Sequence, residues 1–265
     1  MSYKIGFIGC GNMGSALVKA AAKTLKGCEI AVCDHNKEKT DALQRDCGAI
    51  PLTADMVAAN SDFVVLGVKP QAMQATLSSI ASLLQQRSNV TIVTMAAGLS
   101  IATIRAYIGK DLPIIRIMPN TPVTLGEGMT LYTSDGVAKE TVNLFLSYFV
   151  AAGVFDNVTE EELDFGGALS GCGPAFVYLF TEALIEGGKE LGLSDQQAEL
   201  YAMQTIKGAA EMMLAYKNPA DLRRAVCSPN GTTLAGISAM EEAGFTPSVK
   251  AAIKAAYKRT LELKK

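Results

Sequence analysis

The stretch KIGFIGCGNMG, Lys4 to Gly14, decides how the chain is read. An apolar run rich in strand-forming residues ends at Gly9-x-Gly11-x-x-Gly14, and MGSALVKAAAKTL, which has helical period, follows at once. In a strand-turn-helix the first glycine permits the tight turn. The second lets backbone approach a pyrophosphate, and the third lets helix and strand pack closely. The anion then meets the free N–H groups and positive dipole end of a helix. This motif assigns Ile8, Gly9, Cys10, Gly11, Asn12, Met13 and Gly14 to a dinucleotide cradle. Twenty residues beyond Gly14 stands Asp34, closing the next apolar run in VCDHNKEK. A carboxylate there can accept from ribose hydroxyls and repels a 2′-phosphate, which points to NADH. His35, Asn36 and Lys37 beside it can instead hold that phosphate, so the cofactor is read as NADPH or NADH.

Working outward, KIGFI, EIAVC, DFVVLGV, NVTIVTM and LPIIRIM read as strands. MGSALVKAAAKTL, KEKTDALQRDC and PQAMQATLSSIASLLQQ are crossover helices long enough to return the next strand parallel. The expected fold is α/β: a doubly wound, Rossmann-type parallel sheet over residues 1–160, followed by an all-helical domain over 161–265. Ligands of open α/β sheets bind outside the carboxyl ends of the strands. Three segments fall there: GVKP with Val68, Lys69 and Pro70, MAAG with Ala97, and MPNTP with Met118, Asn120 and Pro122. Their prolines also serve as helix starts and turn formers. The helical domain breaks at GLSD, YKNP, CSPNG and GFTP. Its first long helix, GPAFVYLFTEALIEGGKELG, is apolar on almost every side of three turns, which implies burial in a homo-oligomer. The last helix is expected to start at Thr246-Pro247, with Thr as N-cap, and to put Val249, Ala252, Ile253, Ala256, Tyr257 and Leu261 on one face.

Composition bounds the partners. With 265 residues, 49% hydrophobic, the chain carries about two domains and a sizeable core. Lys plus Arg (24) nearly balances Asp plus Glu (26) and no basic tract occurs, so neither nucleic acid nor an anionic membrane is indicated. The stripe Lys250, Lys254, Lys258 reads as a solvated helix face. Six cysteines without a C-x-x-C pair read as reduced thiols, and a single histidine, His35, argues against a metal site. MSYKIGFIG runs straight into a strand without a signal-peptide pattern, and no 18-residue uncharged apolar run offers a membrane span. A cytoplasmic protein is expected.

The chemistry is constrained by what is missing. Oxidation of an alcohol or reduction of a ketone by a nicotinamide needs a positioned acid or base. The one histidine belongs to the adenosine side, and Glu140 through Gly188 contains no Lys or Arg. The β-hydroxyacid dehydrogenase family shares the GFIGxGxMG opening but carries a catalytic lysine on its first long C-terminal helix. Here the corresponding SGCGPAFVYLF has none. A cyclic imine removes the difficulty, because it is protonated before hydride arrives and the protein need mainly position it.

IGCGNMG, VKP, AAG, MPNTP, SGCGPAFVY and SPNGTT, in this order and spacing, resemble pyrroline-5-carboxylate reductases over essentially the whole chain. The resemblance implies reduction of 1-pyrroline-5-carboxylate to L-proline with NAD(P)H, by a protein built on homodimers that often assemble further. It implies that the Ser228 side chain and the N–H groups around Thr232 to Leu234 hold the substrate carboxylate, in a run of successive N–H groups that Gly231 opens. The Thr233 hydroxyl is then the catalytic group, hydrogen-bonded to the ring nitrogen. Met118, Asn120 and Pro122 fall by the same resemblance in the nicotinamide and substrate neighbourhood. Bare N–H groups at a helix start suit a carboxylate independently of any family, although a plain turn with a Thr cap would look similar. Two positions depart from the family pattern: Asn230, where Gly is usual and the turn requires tolerance of a left-handed backbone, and Cys172, where Ser is common and the thiol is a poorer donor. A protein of another class, binding the dinucleotide without turnover, would share the cradle but not the need for Thr233.

Overall fold

The computed structural model describes residues Ser2–Lys264, which divide into two compact units: residues up to Cys172 together with the segment from Ala256, and Gly173–Ala255. In the first unit β1 (Tyr3–Ile8), β2 (Ile30–Cys33), β3 (Ile50–Pro51), β4 (Ser61–Leu66), β5 (Thr91–Thr94), β6 (Ile114–Met118), β7 (Gly128–Asp135) and β8 (Gly153–Asn157) form one sheet in the order β3-β2-β1-β4-β5-β6-β7-β8. The crossovers are α1 (Asn12–Ala21), α2 (Lys37–Cys47), α3 (Ala54–Asn60), α4 (Pro70–Gln85) and α5 (Ile101–Ile108), with α6 (Lys139–Ser147) joining β7 to β8. The chain leaves β1 toward β2 and β3, then returns to β4 on β1's other side. That reversal is the switch point at which doubly wound sheets bind ligands.

The expected parallel sheet is present, with one antiparallel pair, β6 with β7. Both β7 and β8 escape the sequence reading because their faces are mixed: GMTLYTSD and GVFDN bury few positions in alternation. The central strands are legible because both faces are covered, which demands the continuous apolar runs of β1, β4 and β5. One core face packs Phe7, Leu17, Val32, Phe63 and Ile115 with the aromatic group Phe145, Tyr148 and Phe149. The other packs Ile8, Leu66, Met73, Leu77, Ile92 and Ile104. Helix α7 (Glu160–Ser170) closes the unit, opened by a capping box in which Thr159 accepts from Glu162 N while Glu162 accepts from Thr159 N.

The second unit holds α8 (Gly173–Glu190), α9 (Asp195–Tyr216), α10 (Pro219–Val226), α11 (Thr232–Glu242) and the first part of α12 (Phe245–Glu262). It buries almost nothing: Ala198 and Ala202 are its only buried hydrophobic residues, whereas Leu179, Leu191 and Leu214 are 67%, 90% and 75% exposed. Phe176, Phe180, Met240 and Phe245 line an apolar groove of about 550 Å³. By length and composition alone the stretch Glu160–Glu190 is apolar enough to cross a membrane, with Asp164 inside it. Helix α12 begins at Phe245, not at Thr246-Pro247. Gly244, at φ +81°, makes the turn, and Thr246 donates its hydroxyl to Glu241 instead of capping. Pro247 is tolerated in the first turn, where N–H groups have no helical partner.

Candidate active site

The cradle in the first unit is a contact between three glycines. Gly9 has φ +100°, a Cβ on Gly14 would lie 2.2 Å from the Gly9 carbonyl oxygen, and one on Gly67 would lie 2.3 Å from the same atom. The ends of β1 and β4 and the start of α1 therefore meet only if all three lack side chains. Gly67 N donates to Ile8 O and Gly9 N to Cys33 O, pinning the turn from both sides. Gly11 is different, because a Cβ there would meet nothing within 4 Å. Its glycine leaves space open in front of the N-terminus of α1, where no side chain caps the helix. That free cradle and its bare N–H groups fit a pyrophosphate. Cys10, Gly11, Asn12 and Ser15 line an adjoining pocket of about 370 Å³ together with Lys19, Lys39 and Thr124.

Other residues read as cofactor contacts serve the turn through their side chains. Ile8 is buried in the core and Met13 packs partly against it. Cys10 is buried, its N–H donates to Asp34 Oδ2 at 2.7 Å, and its carbonyl accepts from Ser15 Oγ at 2.9 Å. Burial and the Asp34 charge push its thiol up to about 12. Asp34 is turned inward: its side chain is 4% exposed, and Oδ1 accepts from Asn36 N at 2.9 Å. Both carboxylate oxygens thus brace the protein's own loops. His35 is fully out in solvent with Nδ1 3.2 Å from Asp34, and Lys39 is 3.9 Å from the same oxygen. Asn36 caps α2, accepting from Glu38 N.

At the other strand ends, Val68 packs against the core, Lys69 is the N-cap of α4 and Pro70 its first residue. Ala97 is half-buried beside Gly98, whose φ is +79°. Strand β6 zips onto α7. Arg116 pairs with Asp164 and Glu160, Met118 touches Gly167, where a Cβ would lie 2.8 Å from its Cγ, and Asn120 Nδ2 donates to Ser170 O at 3.0 Å. Alternate strand residues 116, 118 and 120 meet one stripe of the helix. Asn120 Oδ1 accepts from Met129 N at 2.9 Å, so its amide is used internally. Pro122 begins a 3-10 turn over Thr121–Thr124. Arg116 and Asp164, each 1% exposed at the side chain, were not read from the sequence as site residues. The signal was a lone arginine inside the apolar strand IIRIM.

In the second unit, Cys227–Gly231 forms the entry to α11. Asn230 has φ +57°, the left-handed backbone that its departure from Gly requires, and Gly231 N donates to Ser228 O at 3.0 Å. A Cβ on Gly231 would lie 2.4 Å from Ser228 Oγ, so glycine keeps that hydroxyl against the turn. Gly231 is the N-cap and offers no side chain. The N–H groups of Thr232, Thr233 and Leu234, the first helical positions, point out of an uncapped, exposed helix start. Cys172, half-buried, is the last residue of the first unit before the chain enters α8.

A glycine turn at the switch point that fits a pyrophosphate, in a chain that also carries a helical unit, is the arrangement of the nicotinamide-dinucleotide oxidoreductases. Residues 4–98 match a model described as NADP oxidoreductase, coenzyme F420-dependent, and residues 160–263 match one described as pyrroline-5-carboxylate reductase dimerisation. The chain is 38% identical to the pyrroline-5-carboxylate reductase of Corynebacterium melassecola, covering 98% of each chain, and 36% identical to that of Pseudomonas aeruginosa over 98% and 96%. The crystal structure of Plasmodium falciparum pyrroline carboxylate reductase with NADP bound superimposes with a TM-score of 0.90 at 30% identity, covering 99% and 98%. The chain belongs to the pyrroline-5-carboxylate reductase family.

Proposed function

We propose that this chain reduces 1-pyrroline-5-carboxylate to L-proline, the last step of proline biosynthesis, with NAD(P)H bound by the first unit. The observation that carries this reading is the uncapped start of α11 behind the Ser228–Gly231 turn: three successive N–H donors and a hydroxyl with nothing of their own to bind. A small carboxylate satisfies such donors. The Thr232, Thr233 and Leu234 N–H groups and Ser228 hold the substrate carboxylate, and Gly231 shapes the turn. The Thr233 hydroxyl bonds the ring nitrogen and fixes the C=N plane. Bound NAD(P)H would supply the hydride to the imine carbon. The imine nitrogen arrives protonated and keeps its proton as the amine of proline, so no general acid is required, in keeping with the absence of Lys and Arg from Glu140 to Gly188.

On the cofactor side, the Gly9–Gly14 turn receives the pyrophosphate. The loops of Val68–Pro70, Ala97 and Met118–Pro122 line the nicotinamide neighbourhood through their backbones. His35, Asn36 and Asp34 border the adenosine end, where either NADH or NADPH is accepted. The functional division is a dinucleotide domain over 1–160 and a substrate and dimerisation domain over 161–265. The exposed apolar faces of α8 and α9 support a homodimer that assembles further, because so much apolar surface needs cover, and a cytoplasmic location suits a biosynthetic enzyme.

The test is to add pyrroline-5-carboxylate with NADPH or NADH to the purified protein and follow absorbance of the reduced cofactor. Turnover is expected, and dinucleotide binding without turnover with either cofactor would overturn the reading in favour of a non-catalytic binding protein. A hydrogen bond to a charged group contributes about 1.5–3 kcal/mol, so Thr233→Ala should lose roughly 10–100-fold in rate. An undiminished rate would remove Thr233 from the mechanism.

A further inference from the structure

The least expected feature of the first unit is a cluster of two cations and two anions around a nearly solvent-free carboxylate. Arg116, the largest fully buried side chain, donates from Nη2 to Asp164 Oδ1 at 2.5 Å and from Nη1 to Glu160 Oε1 at 3.1 Å. Lys264 Nζ lies 2.7 Å from Asp164 Oδ2, an ion pair without the alignment of a hydrogen bond. Burying Arg116 and Asp164 is costly, and apolar residues of similar volume would give an equally stable core.

The cluster reaches the strand-end loops by three routes. Glu160 Oε1 also accepts from Ile101 N at 2.8 Å, fixing the first residue of α5 and hence the far end of the Ala97–Ser100 loop. Arg116 lies two residues before Met118 on the same face of β6 and anchors the strand that enters the Met118–Pro122 segment. Leu263, the neighbour of Lys264, rests on Gly98: a Cβ added to Gly98 would lie 2.7 Å from Leu263 Cβ and 2.9 Å from its carbonyl carbon. The Leu263–Lys264 pair therefore touches the loop after β5 with one residue and the buried carboxylate with the other.

We propose that Lys264 is a positioning residue for the nicotinamide end of the cofactor site: its pairing with Asp164 seats Leu263 on Gly98 and holds the Ala97–Gly98 loop in its binding conformation. The inference rests on the NAD(P)H-dependent reading above. Lys264, 39% exposed at its side chain, is the member of the cluster that best separates positioning from stability, because Arg116 still neutralises the buried Asp164 when the lysine is gone.

The experiment is calorimetric binding to the full chain of two ligand pairs: NADP+ against 2′-phospho-ADP-ribose, and NAD+ against ADP-ribose. The second member of each pair lacks the nicotinamide. If Lys264→Met leaves the loop competent about a third of the time, affinity for the intact dinucleotides falls about threefold, whereas the truncated ligands bind as before. Lys264→Arg should restore the affinity, and Gly98→Ala, which displaces Leu263, should reproduce the split. Equal loss for both members of a pair, no loss for either, or no rescue by arginine would overturn the proposal. None of these measurements needs the imine, so they stand apart from the turnover assay of the wild type that decides the functional reading.

Discussion

Replacing Asn120 by Ala distinguishes a structural clip from a substrate ligand. Its side chain donates to Ser170 O and accepts from Met129 N, at 3.0 and 2.9 Å, and the residue is 8% exposed. The substitution orphans one carbonyl and one N–H. An unsatisfied buried group costs about 1–3 kcal/mol, so two give roughly 2–6 kcal/mol, and the slight solvent access argues for about 3 kcal/mol. For a chain of this size that corresponds to a fall in Tm of about 6–12 °C. Melts should be run at one protein concentration without dinucleotide, since both ligand and assembly shift Tm. Asn120→Asp keeps the acceptor for Met129 N but sets a buried carboxylate oxygen against Ser170 O, so it should lose at least as much at neutral pH. An unchanged Tm accompanied by a raised KM for the imine would refute the reasoning and make Asn120 a direct substrate contact.

Gly14→Ala drives a Cβ to 2.2 Å from Gly9 O, so dinucleotide binding followed by fluorescence should weaken by more than about tenfold; affinity like the wild type would show that the turn tolerates the shift. Asp34→Asn replaces a carboxylate that accepts from Cys10 N and Asn36 N, and should weaken NADH and NADPH binding in parallel by loosening the glycine turn. A selective change in one cofactor would instead signal a direct ribose contact. The Cys10 thiol, ordinarily near 9.0, is held up to about 12, so the folded state keeps its proton more tightly than the unfolded chain. Its contribution is full below the ordinary value and is lost as pH rises from there through about 12, by about 1.4 kcal/mol per unit. Urea titrations of Cys10→Ala should show a flatter decline over that window, and identical slopes would contradict the assignment.

How far the fold was legible depended on what each residue has to do. The glycine turn could be read because sterics leave no alternative at Gly9 and Gly14, and α2 was read to the residue because Asn36 caps it and Gly48, at φ +72°, ends it. Strand β7 was missed because it pairs antiparallel with only part of its length covered, so neither a continuous apolar run nor clean alternation marks it. Asp34 shows the limit for a site residue. Spacing gives its place at the end of β2, but whether its carboxylate faces a ribose or turns inward is set by the approach of Cys10 N, a contact across twenty-four residues. The Arg116–Asp164 pair, forty-eight residues apart, lies beyond any local pattern, although an arginine flanked by isoleucines in a buried strand already requires a carboxylate from elsewhere.

The two proposed ligand sites are therefore built on different physical foundations. The dinucleotide cradle is made by buried backbone contacts within a unit that has its own core, and its shape follows from residues that cannot be anything but glycine. The proposed anion nest at α11 is made of exposed main chain in a unit whose buried hydrophobic residues are two alanines, and no core of its own holds it. Apolar burial is the main favourable contribution to folding, so a unit exposing Leu179, Leu191, Leu214 and the Phe176–Phe245 groove needs that surface covered before its helices keep one arrangement. Residues 160–263 match a pyrroline-5-carboxylate reductase dimerisation model, and in the homodimer proposed above a second copy would supply that cover. On the proposed function, assembly would be a condition for the substrate half of the chemistry, because donors aimed at a carboxylate discriminate only while their helix is held still.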